Sequence, residues 1–209
     1  MITILNFSQR VDGINDTICE ELQAGFAARK VETHYIKVRN LTISLCNNCR
    51  TCMKTPGNDL GHCHFNDDMK ELLDAILKSR CLIVSAPINC YDLPALVRVL
   101  LERMSVFCYW PDEQYSPTVR RTPNEIKGVL ITTSALPGIM VPILTRARRT
   151  FGFFAKPIRA TSIDYYHLGF KGRTADMFFT EKDRQVVHKI VDKIARLMTD
   201  QHQRRAAPL

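Results

Sequence analysis

Four of the chain's eight cysteines, Cys46, Cys49, Cys52 and Cys63, fall within eighteen residues. The Cys-x2-Cys-x2-Cys spacing is ferredoxin-like, and four thiolates in one loop can hold a [4Fe–4S] cluster. Three thiolates with His62 or His64 would instead suit zinc. A redox disulfide is a third use, and reduced, partly buried thiols that merely shape the loop are a fourth. The spacing leaves all four open, and the ten residues between Cys52 and Cys63 make the last ligand the distant one. Cys19, Cys81 and Cys108 read as small core residues, and so, on balance, does Cys90.

A second stretch with chemical potential is residues 8–17, SQRVDGINDT, which lead from an apolar strand into a helix. A helix N-terminus offers unpaired N–H groups and the positive end of a dipole. Ser8, Arg10, Asn15 and Thr17 add donors, so a phosphate is the natural guest. Neither GxGxxG nor GxxxxGK[ST] is present, which removes the dinucleotide fingerprint and the P-loop. The absence of GxSxG and HExxH leaves hydrolase readings without support. His167 and His188 stand apart from any nucleophile pattern and read as structural.

Those residues need elements to position them. Strands are expected at 2–7, 32–38, 81–86, 128–133 and 160–165, each short and apolar or β-branched. Helices fit between and after them. The first repeats Ile18, Leu22 and Phe26, with Thr17 and Glu20 at capping-box spacing. The second sets Met69, Leu72, Leu73, Ile76 and Leu77 on one face behind Asp67 and Asp68. Pro94 and Pro142 open a third and a fourth. The last starts at Thr180, with Asp183 three residues on, and buries Val187, Ile190, Val191, Ile194 and Met198.

This βαβ alternation requires a parallel sheet with helices on both faces, a three-layer sandwich. Five strands suggest the flavodoxin-like order 2-1-3-4-5, with a ligand beyond the strand C-termini at loops 8–17, 87–92 and 134–138. Residues 1–199 then form one domain carrying two long insertions, a cysteine-rich loop at 42–65 and an aromatic loop at 105–127, with a frayed tail at 200–209. The aromatic loop reads as a lid or an oligomer-forming arm that lends Tyr109 or Trp110 to the cleft.

At 209 residues the chain can bury a core without disulfides. Its start reads as a strand rather than a secretory leader, and no eighteen-residue apolar run exists, so a cytoplasmic protein is expected. The net charge of +8 suits phosphorylated ligands. The arginines are scattered without a recognition-helix pattern, so nucleic acid is not the expected partner.

Residues 86–103, APINCYDLPALVRVLLER, resemble the SPVYFGSVSAQLKALIDR stretch of the NADPH-dependent FMN reductase and iron–sulfur flavoprotein group, without gaps. Ser8-Gln9-Arg10 with Gly13 and Asn15 is similar to that group's phosphate loop, although Phe7 and Gln9 stand where Gly and Pro are usual. Cys46 to Cys63, with Lys54-Thr55-Pro56-Gly57, resembles its cysteine segment. Residues 127–138, KGVLITTSALPG, are similar to its fourth strand and flavin loop. Across residues 1–165 the resemblance implies a flavodoxin-like oxidoreductase that binds FMN and passes electrons from NAD(P)H to a quinone, nitroaromatic, flavin or metal acceptor. It further implies that Ser8, Arg10, Asn15 and Thr17 hold the phosphate. Pro87, Ile88, Asn89 and Cys90 would line one edge of the flavin, and Ser134, Ala135 and Gly138 the other. Such clefts are often completed by a second copy, so a homodimer or tetramer is expected. An FMN electron carrier without NAD(P)H turnover, with or without a [4Fe–4S] cluster, is the alternative, and a non-catalytic metal-binding or redox-sensing module the third.

Overall fold

The computed structural model describes residues 1–120, 125–172 and 178–206. In chain order the elements are β1 (Ile2–Asn6), α1 (Ile14–Ala27), β2 (Thr33–Lys37), α2 (Thr51–Lys54), α3 (Met69–Leu77), β3 (Cys81–Pro87), α4 (Ala95–Arg103), β4 (Cys108–Tyr109), β5 (Thr118–Val119), β6 (Ile126–Thr133), α5 (Val141–Leu144), α6 (Ala147–Ala155), β7 (Ala160–Leu168) and α7 (Glu181–Ala206). Five strands form one parallel sheet in the order β2-β1-β3-β6-β7. With the short β4–β5 ribbon set aside, this is the flavodoxin-like 2-1-3-4-5 order expected above.

The pleat sorts the side chains. In β1, Ile2 and Ile4 face a core shared with Ile18, Leu22, Val187 and Val191 of α1 and α7. Leu5, and Phe7 just beyond the strand, face the opposite core with Leu72, Leu100, Phe151 and Phe154 of α3, α4 and α6. A period of two in the central strands thus feeds both faces, which is why they read as continuous apolar runs.

The helix starts differ in detail from expectation. Helix α1 begins three residues before Thr17, with Gly13 at its N-cap and no side-chain cap, so the Thr17–Glu20 box does not cap it. The box at α7 does form. The Thr180 N–H and hydroxyl both donate to Asp183 Oδ2, at 2.8 and 2.6 Å, and the Asp183 N–H donates to Thr180 Oγ1 at 3.3 Å. Helix α7 carries on to Ala206, past the point at Asp200 where fraying is expected from composition. The helix opened by Pro142 is short and gives way to α6 at Ala147.

Neither Tyr109 nor Trp110 of the aromatic insertion is among the residues lining the hollow at the strand ends. The insertion's β4–β5 ribbon packs on the cysteine loop: the Trp110 N–H donates to the Met53 carbonyl at 2.8 Å, and the Arg50 guanidinium lies 4.7 Å from the Trp110 ring centre.

Candidate functional site

A cleft of about 460 Å³ opens beyond the C-terminal ends of β1, β3 and β6, within the range of small-molecule sites. Ser8, Gln9, Arg10, Gly13, Ile14 and Asn15 form one wall, Pro87, Ile88 and Asn89 a second, and Thr133, Ser134 and Ala135 a third. The three loops expected from sequence therefore meet, at the switch point between β1 and β3. Of the residues singled out, Thr17, Cys90 and Gly138 lie outside this lining. Thr17 sits one turn inside α1, and Cys90 is exposed at a turn tip.

Asn15, on the cleft wall, also braces the fold. Its amide donates to Thr133 Oγ1 at 3.1 Å while its carbonyl oxygen accepts the Ser85 hydroxyl at 2.9 Å, so its side chain ties α1 to β3 and β6. No side chain caps α1, and the Asp16 and Thr17 N–H groups turn back to the Gly13 carbonyl. That leaves the backbone of Ile14 and Asn15 on the cleft wall.

Beneath the loop lies a buried ionic frame that sequence reading missed. Asp16 accepts two Arg39 N–H groups at 2.9 Å each, together with the Asn6 amide at 2.6 Å and the Tyr35 hydroxyl at 3.2 Å. Burial alone would raise the Asp16 carboxyl, but the Arg39 hydrogen bonds and charge hold it below the ordinary carboxylate range. Arg39 also donates to the Ser8 carbonyl at 3.1 Å and so fixes the loop from below. The carboxylate at the start of α1 is thereby neutralised, and the positive end of the helix remains available to an anion. Arg39 lies 23 residues from Asp16 in the chain, a separation that no local pattern reveals.

The third wall rests on His167, at the tip of β7. Nδ1 lies 2.9 Å from Thr132 Oγ1, and Nε2 lies 3.3 Å from the Leu136 carbonyl and from Ser134 Oγ. A carbonyl can only accept, so Nε2 carries the proton and Nδ1 accepts from Thr132, whose oxygen is met by the Tyr165 hydroxyl at 2.8 Å. Burial pulls the His167 pKa below its ordinary value, with the Leu136 carbonyl opposing, which favours this neutral tautomer. Ser134 Oγ also accepts the Leu136 N–H at 3.1 Å, leaving its own hydrogen to give to a ligand. Gly169 is needed here, since a Cβ would stand 2.7 Å from the Leu136 carbonyl.

Lys171 and Gly172 complete the lining. Lys171 is buried and bonds Asp183 and the Phe178 carbonyl, so the capping box of α7 anchors a cation beside the cleft.

The cysteine segment lies elsewhere. Cys52 is buried, Cys46 and Cys63 are half-buried, and Cys49 is exposed, with Sγ 3.4 Å from His64 Nδ1. Among the described residues no group of three or more His, Cys, Asp or Glu side chains converges as a metal site requires, so the geometry lends a cluster or a zinc ion no support. What organises the segment is arginine. Buried Arg120 donates to the carbonyls of Cys52, Thr55, Gly57 and Val106 at 2.8–3.2 Å. Arg103 pairs with Asp67 at 2.6 and 3.0 Å and bonds the Ser44 carbonyl at 2.9 Å. Burial of the Cys52 thiol pushes its pKa up, which quiets its reactivity.

At the level of fold, the chain is similar to a flavone reductase, at 17% identity and TM-score 0.66 over 96% of this chain and 64% of that one. It spans less than two thirds of that protein's length. It is also similar to the NAD(P)H:quinone oxidoreductase from Methanothermobacter marburgensis, at 14% identity and TM-score 0.66 over 93% and 96% of the two chains. A flavodoxin from the domain Archaea aligns at 11% identity and TM-score 0.54 over 95% and 99%. No curated protein matches. Residues 1–123, which carry the first two walls of the cleft, match the NADPH-dependent FMN reductase family over more than half of the sequence, and the chain belongs to that family of flavin oxidoreductases.

Proposed function

We propose that the cleft binds FMN and that the protein passes electrons from NAD(P)H through it to a small acceptor, such as a quinone, nitroaromatic, free flavin or metal ion. The observation that carries this reading is the meeting of an uncapped helix start with two strand-tip loops in one cleft. FMN, when bound, supplies a ring that takes a hydride and hands its electrons on.

The chain's residues then have separate tasks. Ser8 Oγ accepts the Arg10 N–H at 3.3 Å, so its hydrogen can be given to a phosphate oxygen beside the Ile14 and Asn15 backbone. Arg10 brings a guanidinium to the same wall. Pro87, Ile88 and Ala135 offer flat apolar surface that excludes water from the ring. Ser134, aimed by His167, gives a hydroxyl hydrogen to the ring's polar edge, and the Lys171–Asp183 pair holds the chain beside it in place. No acid–base side chain is required, because hydride transfer needs mainly orientation and dryness.

An assembly of two or four copies fits Ile139 and Ile143, which are 82% and 81% exposed on the segment after the third wall. Eight free cysteines fit a reducing cytoplasm. The test is anaerobic addition of NADPH to FMN-loaded protein. Reduction of bound flavin supports the enzyme, whereas flavin that binds and stays oxidised makes the protein an electron carrier.

A further inference from the structure

Across one turn from the cleft lies a second hollow, of about 350 Å³, between the starts of α4 and α6. Its walls include Arg98, Arg146, Arg149, Pro94 and Phe153. Three arginines share this lining with one carboxylate, Asp92, which accepts the Leu93 N–H at 2.7 Å and the Thr150 hydroxyl at 2.9 Å. Among the described residues neither Arg146 nor Arg149 is in an ion pair, and Arg98 has only Glu102, at 3.8 Å on an exposed face. The Arg146 and Arg149 charges, side by side in one concavity, favour the entry of an anion. The Arg149 guanidinium lies 5.9 Å from the Phe153 ring centre, and Phe153 is 57% exposed, so a flat aromatic surface borders the charge.

The partition between the two hollows is stiff. Asn89 and Asp92 exchange backbone hydrogen bonds at 2.8 and 3.0 Å, with Cys90 and Tyr91 in the left-handed region between them. The Arg146 N–H binds the Tyr91 carbonyl at 2.8 Å, which stitches the start of α6 to this turn. Asn89 lines the cleft and Asp92 lines the hollow, so a molecule lying over the turn touches both.

We propose that the arginine hollow takes the 2′-phosphorylated adenosine end of NADPH, with the nicotinamide in the cleft. Guanidinium forks match a phosphomonoester, and an arginine plane beside a phenyl ring suits a purine. FMN has no need of these arginines, because its phosphate is provided for by residues 8–15 on the other side of the cleft. The inference rests on the proposed electron donor and assigns the choice between NADPH and NADH to Arg146 and Arg149.

The test uses the FMN-loaded full chain and a double variant, Arg146→Gln with Arg149→Gln, with flavin loading as the check on folding. Calorimetry should find adenosine 2′,5′-bisphosphate binding on the order of 10- to 100-fold tighter than 5′-AMP to the wild type, with that advantage lost in the variant. The ratio of kcat/KM for NADPH to that for NADH should fall by a similar factor. Equal affinity for the two nucleotides, an undiminished advantage in the variant, or equally tight binding of inorganic phosphate would overturn the assignment. Should the bisphosphate bind as expected while NADPH leaves the flavin oxidised, the hollow stands as a nucleotide site and the electron-donor reading falls.

Discussion

The cleft and the cysteine segment contain similar chemical raw material and use it in opposite ways. Around the cleft, buried pairs such as Asp16–Arg39 and the His167 network lie behind the wall and leave the Ser8 and Ser134 hydroxyl hydrogens and a helix start facing the opening. In the cysteine segment, Arg120 spends its donors on four carbonyls and Arg103 is locked to Asp67. There Gly61 packs so tightly that a Cβ would stand 1.7 Å from the Cys52 carbonyl oxygen. Donors that face the opening are available to a ligand, whereas the arginine donors of the cysteine segment are engaged within the fold.

The largest effect should come from breaking a lock in the cysteine segment. Arg103→Ala leaves Asp67 buried without its partner and should lower stability by about 3–5 kcal/mol in urea unfolding. Because the Arg103 hydrogen bonds, followed by backbone N–H groups, hold the Asp67 carboxyl far below the ordinary range, the sign with pH is fixed. The pair's stabilisation is present above the unfolded carboxylate value of 3.8 and is lost as pH falls below it. A variant as stable as wild type would remove the locking role.

Next in size, Arg10→Ala should weaken FMN binding by roughly 1–3 kcal/mol with unfolding little changed. Titration of the apoprotein reads this directly, and unchanged affinity would take Arg10 out of the site. The pair of results sharpens the contrast: one region loses fold, the other loses ligand.

A smaller effect tests the third wall. The His167 pKa is depressed in the folded state, so the stability it contributes is present above the unfolded value of 6.5 and is lost as pH falls through the folded value. FMN affinity should weaken over that window, and His167→Gln should flatten the dependence. The same slope in the variant would assign it to another group. The smallest effect is expected for Cys49→Ser: Cys49 is exposed, so stability should stay within about 0.5 kcal/mol of wild type and FMN content should be unchanged. A large loss would return the cysteines to a metal or redox role.

Much of this was legible in sequence. Short apolar or β-branched strands alternating with helices suggested the sheet order that is found, and the loops at 8–17, 87–92 and 134–138 do meet in space. What escaped was long-range polar pairing. Nothing near Asp16 names Arg39, and nothing near Ser134 names His167, because those partners meet only once β1, β2, β6 and β7 lie side by side. The same blindness hid the bracing role of Asn15, since Thr133 and Ser85 lie 118 and 70 residues away. Cysteine spacing left its four uses open for the converse reason: it reports which residues are near in the chain, while Arg120 ties that loop from far along it.

The central claim is that the cleft holds FMN and lets NADPH reduce it. Anaerobic titration of the FMN-loaded protein with NADPH tests it most directly, following the visible band of oxidised flavin. Bleaching complete at one NADPH per bound flavin is the predicted result; apoprotein that takes up no FMN, or bound flavin that NADPH leaves oxidised, would contradict it.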